Sequence, residues 1–260
     1  MALSTSEMDS GIKEREREFH DRRFAAEIDP RASLSKYYSV THESKEFYRS
    51  IIRMSAPTGS RILEYGCGEA TENIEFYKSL DCEFFGIDIS PEAIKKAKAT
   101  AEAKGFSAKY SVEDAERTTL PSDFFDLSMG SGILHHLNIE KSMAELRRIT
   151  KRSGCCVFFE PLGHNILINL FRSFTPKFRS SDEHPLRNRD FDTMKRYFRR
   201  VDVSYFHFFA LGAVLFRRTS LFDGALRLFL AIDSHLTKKS SWFGKYCWVC
   251  VIRLSDPLKD

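Results

Sequence analysis

The stretch Arg61-Ile-Leu-Glu-Tyr-Gly-Cys-Gly-Glu-Ala70, followed by a helical segment and then Phe84-Phe-Gly-Ile-Asp88, constrains this chain more than any other. An apolar strand runs into a glycine-rich turn and a helix, and a second strand ends in a lone acid twenty residues after Gly68. That order describes a βαβ unit built to hold a nucleotide. A dinucleotide site places a third glycine in the turn, so that the helix packs closely and its N-terminus meets the pyrophosphate. Thr71 occupies that position here. Glu64, two residues before Gly66, would repel a pyrophosphate and suit a ligand that carries positive charge.

The E-x-G-x-G turn with its distant acid resembles motifs I and II of the class I S-adenosylmethionine-dependent methyltransferases. The resemblance implies that Glu64, Gly66, Cys67, Gly68, Asp88 and Ile89 hold S-adenosyl-L-methionine, whose transfer product is S-adenosyl-L-homocysteine. Both glycines allow close backbone approach, and Asp88 would accept hydrogen bonds from the two ribose hydroxyls. Val112-Glu-Asp-Ala-Glu116 follows the third strand, where the resemblance assigns Asp114 and the Ala115 backbone to adenine; a turn capped by Asp114 is the local alternative. Phe125-Asp-Leu-Ser-Met-Gly-Ser-Gly-Ile-Leu-His-His-Leu137 is similar to the strand-4 signature of the type 11 methyltransferase domain group, which acts on small molecules. By that likeness Gly130 and Ser131 lie beside the methionine part of the cofactor.

From Arg61 onward, strands of four to six residues alternate with helices of about ten, the rhythm of a parallel sheet wound on both faces. Strands are expected near 61–65, 83–87, 108–112, 124–129 and 155–160, with helices near 70–79, 91–104 and 140–150. Later strands are expected near 201–208 and 246–254. The fold class is therefore α/β, a Rossmann-like doubly wound seven-stranded sheet, mainly parallel; the resemblance adds an antiparallel last strand. Residues 1–54 are read as an N-terminal helical cap, 55–160 as the S-adenosylmethionine-binding core, and 161–260 as the remaining strands with insertions at about 161–200 and 209–245. Within the cap, the alternating charges of 13–23 read as a solvated helix, and Tyr37 to Met54 as the lid over the strand ends.

Acceptor chemistry is expected at the same end of the sheet. His135 and His136 point about 100° apart on a helical turn, so at most one faces the pocket; an imidazole there can take the acceptor's proton. His135 is favoured, because in some relatives the first histidine of such a pair works with a lid tyrosine, and Tyr37 and Tyr38 are available. Phe158-Phe-Glu-Pro-Leu-Gly-His-Asn165 brings Glu160, His164 and Asn165 toward the same cleft, with Glu160 either a base or the partner of an arginine. Asp182 and His184 are read as residues of a substrate-covering loop, and no metal is expected at Asp182, Glu183, His184 and His164, because methyl transfer needs none.

Composition narrows the classes that remain. A net charge of +4, from 40 basic and 36 acidic residues, is too balanced to argue for nucleic acid. No window reaches transmembrane length without charges, and no apolar signal core opens the chain, so a cytoplasmic protein is expected. Cys247 and Cys250, three apart in a predicted strand, would face opposite sides and could not share a metal; free thiols are expected. The acceptor is read as a small molecule, either apolar, to suit Phe206-His-Phe-Phe-Ala-Leu-Gly-Ala-Val-Leu-Phe216, or anionic, to suit the excess of Lys and Arg in 164–200. The apolar 206–232 region is equally a candidate homo-oligomer interface or membrane contact. The expected reaction is methylation of an oxygen or activated carbon in secondary-metabolite, lipid or saccharide biosynthesis. The rivals are a nucleic-acid or protein methyltransferase and a non-catalytic cofactor-binding scaffold on the same fold.

Overall fold

The computed structural model describes residues 5–25, 40–70, 73–175, 183–239 and 241–259. Among the described residues two helices, α1 (Thr5–Ala25) and α2 (His42–Ser55), precede the sheet. The alternating part comprises β1 (Arg61–Tyr65), α3 (Ile74–Lys78), β2 (Glu83–Asp88), α4 (Pro91–Ala103), β3 (Ala108–Val112), β4 (Phe125–Ser131), α5 (Ile139–Ile149) and β5 (Thr150–Pro161). After it come α6 (Ile166–Phe174), α7 (Asn188–Met194), β6 (Phe198–Phe206), α8 (Phe222–Lys239), α9 (Ser241–Gly244) and β7 (Val249–Pro257).

The seven strands form one sheet in the order β3-β2-β1-β4-β5-β7-β6. β1 to β5 run parallel, and β7 lies antiparallel between β5 and β6. The strand order reverses between β1 and β4, so the carboxyl ends of these two neighbours open a crevice at the switch point where ligands bind in such sheets. Both ends of that crevice are glycine-rich, at Gly66 and at Gly130 to Gly132.

Period-two alternation divides β1 between two cores. Leu63 and Tyr65 join Phe125, Phe158, Met143 and Leu146 on one side, while Ile62 joins Phe84, Leu127, Met129 and Ile52 on the other. Burial on both faces is why these strands read as nearly continuous apolar runs. Ser90 accepts from the Ala93 amide with Pro91 at the first helical position of α4, as the Ser-Pro pair predicts.

The differences from expectation have local causes. α3 starts at Ile74 rather than near 70, because Gly68 (φ 53°) and Ala70 (φ 56°) are left-handed and cannot belong to a helix. β7 starts at Val249, so Cys247 precedes the strand and the opposite-face argument does not apply. Cys247 and Cys250 are both buried in the same core, and all six cysteines are free thiols. α2, expected over the strand ends, packs beside β4, β5 and β7 instead; Ser44, Tyr48 and Ile52 are buried and the Tyr48 hydroxyl donates to the Gly130 carbonyl at 3.1 Å.

Candidate cofactor and acceptor site

A cavity of about 790 Å³ occupies the crevice, within the range of small-molecule sites. Its floor is the glycine turn. The Gly66 (φ 75°) and Cys67 amides both donate to the Ile87 carbonyl at 2.9 Å, which pins the turn to the end of β2. A Cβ on Gly66 would stand 2.7 Å from Ile133 Cδ1, so this position requires glycine for space as well as for backbone angle.

Three carboxylates converge on this floor. Asp88 is fixed by the Gly68 amide on Oδ2 and the Ser90 amide on Oδ1, both at 2.9 Å. Glu64 is buried and accepts the Tyr77 hydroxyl at 2.5 Å. Burial pushes its pKa up to about 7, and Asp88 adds to the rise, while hydrogen bonds from Tyr77 and Asn73 oppose it. Asp114 accepts the Glu116 amide at 2.9 Å, and the Tyr65 hydroxyl holds the neighbouring Ala115 carbonyl.

The roof is α1. Ile12, Lys13, Glu16, His20, Arg23 and Phe24 all line the cavity, whereas no residue of α2 does. Lys13 Nζ lies 2.6 Å from Asp114 and 3.0 Å from Glu116. Burial works against its charge, but the two carboxylates outweigh it and raise its pKa. Phe24 packs over the turn: a Cβ on Gly68 would meet its ring at 3.2 Å. Asp21 accepts the Ser90 hydroxyl, which ties α1 to the start of α4. The helix read as fully solvated is thus a wall of the cavity. Its charges alternate because one face meets water and the other meets a polar ligand space.

On the side away from the turn stand His136, Glu16 and His20. His136 Nδ1 is 3.2 Å and His20 Nε2 3.6 Å from Glu16 Oε2, and the two imidazoles meet edge to face at 5.4 Å. Donor atoms of these three residues, and of His135, His136 and Glu183, lie within 4.8 Å of one another in each group, a spacing compatible with a hydrogen-bonded relay or a shared cation. His184, Arg189, Asp190 and Thr193 complete that side.

Of the residues expected to hold the cofactor, Glu64, Gly66, Cys67, Gly68, Asp88, Ile89, Asp114, Ala115 and Ser131 line the cavity together. Gly130 lies behind the wall, where a Cβ would meet the Tyr65 carbonyl oxygen at 2.7 Å. Among the residues expected near the acceptor, His136 and His184 line the cavity, while His135, Glu160, His164 and Asn165 do not. His135 Nδ1 pairs with Glu160 Oε2 at 2.7 Å, and Glu160 Oε1 also accepts the Ile133 and Leu134 amides at 2.9 and 2.8 Å. Burial raises the Glu160 pKa to about 7, against the pull of these donors. Asn165 caps α6, accepting the Ile168 amide and donating to the Tyr246 carbonyl. Burial, with Lys245 and Arg187 nearby, lowers the His164 pKa. Tyr37, Tyr38 and Asp182 lie outside the described residues. Lys13, Glu16, His20 and Tyr77 were not singled out from the sequence. The one available signal was Glu16 and His20 four apart on the helix, one turn below Ile12 and above Phe24.

A seven-stranded doubly wound sheet with β7 reversed, carrying this acid-flanked glycine turn at its switch point, defines the class I methyltransferase fold. Residues 62–154 match the family described as Methyltransferase domain. Ajmaline N-methyltransferase of Rauvolfia serpentina is 32% identical over 122 residues, which are 46% of this chain; the chain spans only 39% of that relative's length. Among solved structures, a phosphoethanolamine N-methyltransferase 2 of Haemonchus contortus superposes with a TM-score of 0.63 at 14% identity, covering 93% of this chain and 60% of that one. Geranyl diphosphate C-methyltransferase of Streptomyces coelicolor A3(2) gives 0.61 at 9% identity, covering 94% and 98%. At such identities these likenesses concern the fold.

Proposed function

We propose that this chain is a methyltransferase that binds S-adenosylmethionine in the cavity and methylates a small molecule at an oxygen or nitrogen bearing a proton. The observation that carries the reading is the meeting of Glu64, Asp88 and Asp114 around the left-handed turn. Three acids on the floor, one of them paired with Lys13 of the roof, suit a ligand with an ammonium, a sulfonium and no phosphate. The solved N-methyltransferase was crystallised with S-adenosylmethionine, and the C-methyltransferase with S-adenosylhomocysteine.

When bound, S-adenosylmethionine supplies a methyl group on a sulfonium, already a good leaving group. The chain's own residues then bind, align and deprotonate. Asp88 would receive the ribose hydroxyls, Asp114 and Ala115 would hold the adenine edge, and Glu64 would hold the ammonium. α1 keeps water away. His136 takes the acceptor's proton, with Glu16 orienting its imidazole and stabilising the charge that forms. This assignment moves the base from His135 to His136, because Glu160 turns His135 away from the cavity.

Calorimetry with S-adenosylhomocysteine tests the cofactor. An absence of binding would sink the reading. Once labelled methyl transfer into metabolite fractions has identified an acceptor, His136→Ala is expected to keep cofactor affinity within about threefold and lose at least a hundredfold in kcat; full turnover would remove His136.

Affinity should also depend on pH. The ligand's ammonium favours ionised Glu64, whose pKa is about 7 in the free protein. Binding therefore tightens about fivefold between pH 6 and 7, a window that ends below the pKa of about 7.7–8.0 at which an α-amino group loses its proton. Stability of the unliganded protein runs the other way. Neutral Glu64 stabilises the fold fully below its unfolded pKa, and this contribution is lost as pH rises through about 7. Glu64→Gln should flatten the binding profile, and an unchanged profile would place the titrating group elsewhere.

A further inference from the structure

Two helices of the C-terminal insertions are apolar on both sides. Toward the protein, Ile168 of α6 and Phe222, Leu226 and Phe229 of α8 pack on one cluster formed by Val40, Ala213, Trp248 and Val249. Toward the outside, Ile166, Leu170 and Phe174 follow one another a turn apart along α6, at 76%, 54% and 77% exposure. Leu228 and Ile232 do the same along α8, and Trp242 of α9 is 65% exposed. The core is already served by the inner faces, so the outer stripes are not surplus core. Both helices rest on the same cluster, and α9 packs against α8.

The charges around this region are mostly positive. Between 209 and 248 the sequence holds Arg217, Arg218, Arg227, Lys238, Lys239 and Lys245 against only Asp223 and Asp233. Asp233 is turned inward, where its carboxylate accepts the Phe208, Phe209 and Ala210 amides at 3.0, 2.8 and 3.1 Å. Lys245 Nζ sits 5.0 Å from the Trp242 ring and 4.9 Å from that of Tyr246. Tryptophan, tyrosine and lysine together beside exposed aliphatic stripes form the composition that settles at the boundary between lipid headgroups and acyl chains. No described helix is long and apolar enough to cross a membrane, so the contact would be with the surface.

We propose that the outer faces of α6, α8 and α9 dock this protein on an anionic bilayer. The apolar stripes enter the interfacial layer, and Arg217, Arg218 and Arg227 meet acidic headgroups.

Co-sedimentation of the full chain with phosphatidylcholine vesicles, with and without about one third phosphatidylglycerol, tests this. The protein should pellet with the anionic vesicles, far less with the neutral ones, and less again in about 0.5 M salt, where screening shortens to a few ångströms. The pair Leu228→Glu and Ile232→Glu, and separately Leu170→Glu with Phe174→Glu, should each weaken binding at least tenfold. Arg217→Glu with Arg218→Glu should abolish the preference for anionic lipid. Unchanged circular dichroism, melting and S-adenosylhomocysteine affinity would show that the variants are folded, and keep this test separate from that of the cofactor. Failure to pellet with anionic vesicles at low salt would overturn the proposal. So would a concentration-dependent dimer that Leu228→Glu dissociates, which would assign the face to a second copy of the chain.

Discussion

Asp88→Ala is expected to raise the dissociation constant for S-adenosylhomocysteine at least a hundredfold and to lower the melting temperature by about 3 °C. The carboxylate is partly exposed at the end of β2 and serves two surfaces at once. Inward, it holds the Gly68 and Ser90 amides, which fixes the turn and the start of α4. Outward, it faces the cavity, where two ribose hydroxyls would each donate to a charged acceptor. Hydrogen bonds to a charged group contribute about 1.5–3 kcal/mol each, so losing two costs about 3 kcal/mol, a factor of about 150. Asp88→Asn retains one oxygen and the shape, and should cost about tenfold. Calorimetry on the two variants checks the order, and alanine binding as tightly as wild type would take Asp88 out of the site.

Glu160→Ala should have the largest effect on stability. The side chain is fully buried, accepts the Ile133 and Leu134 amides and pairs with His135 Nδ1. Alanine strands all three in the interior. At about 1–3 kcal/mol for each buried donor left without an acceptor, and allowing for partial relaxation, the loss is about 4 kcal/mol, or roughly 10 °C in melting temperature. Glu160→Gln keeps an oxygen for both amides and turns its NH2 group to His135 Nδ1, so it should cost less than half as much. Denaturant unfolding measures both. If Glu160 were instead the base for the acceptor, glutamine would abolish turnover while the fold kept its stability.

The parts of the site that were readable from the sequence are those in which neighbours in space are close in the chain or follow the strand rhythm. Glu64, Gly66 and Gly68 share one turn, and Asp88 and Asp114 fall at the ends of the next two strands, where the winding of the sheet must bring them together. What was not readable depends on contacts across the chain. His135 and His136 differ by one residue, and the choice between them is made by Glu160, 25 and 24 residues further on, which captures the first and leaves the second facing the cavity. The helix over the cavity reads as solvated because α1 is rich in paired charges, a pattern that describes a solvated surface and a polar cavity wall equally well. Tertiary contacts such as that of Lys13 with Asp114 separate the two.

Lys13 holds the carboxylate assigned to adenine, and Phe24, three turns along the same helix, rests on the glycine turn. A guest whose adenine takes Asp114 would therefore compete with the Lys13 ammonium for that carboxylate, and Lys13→Ala would remove the competitor together with one of the contacts that dock α1.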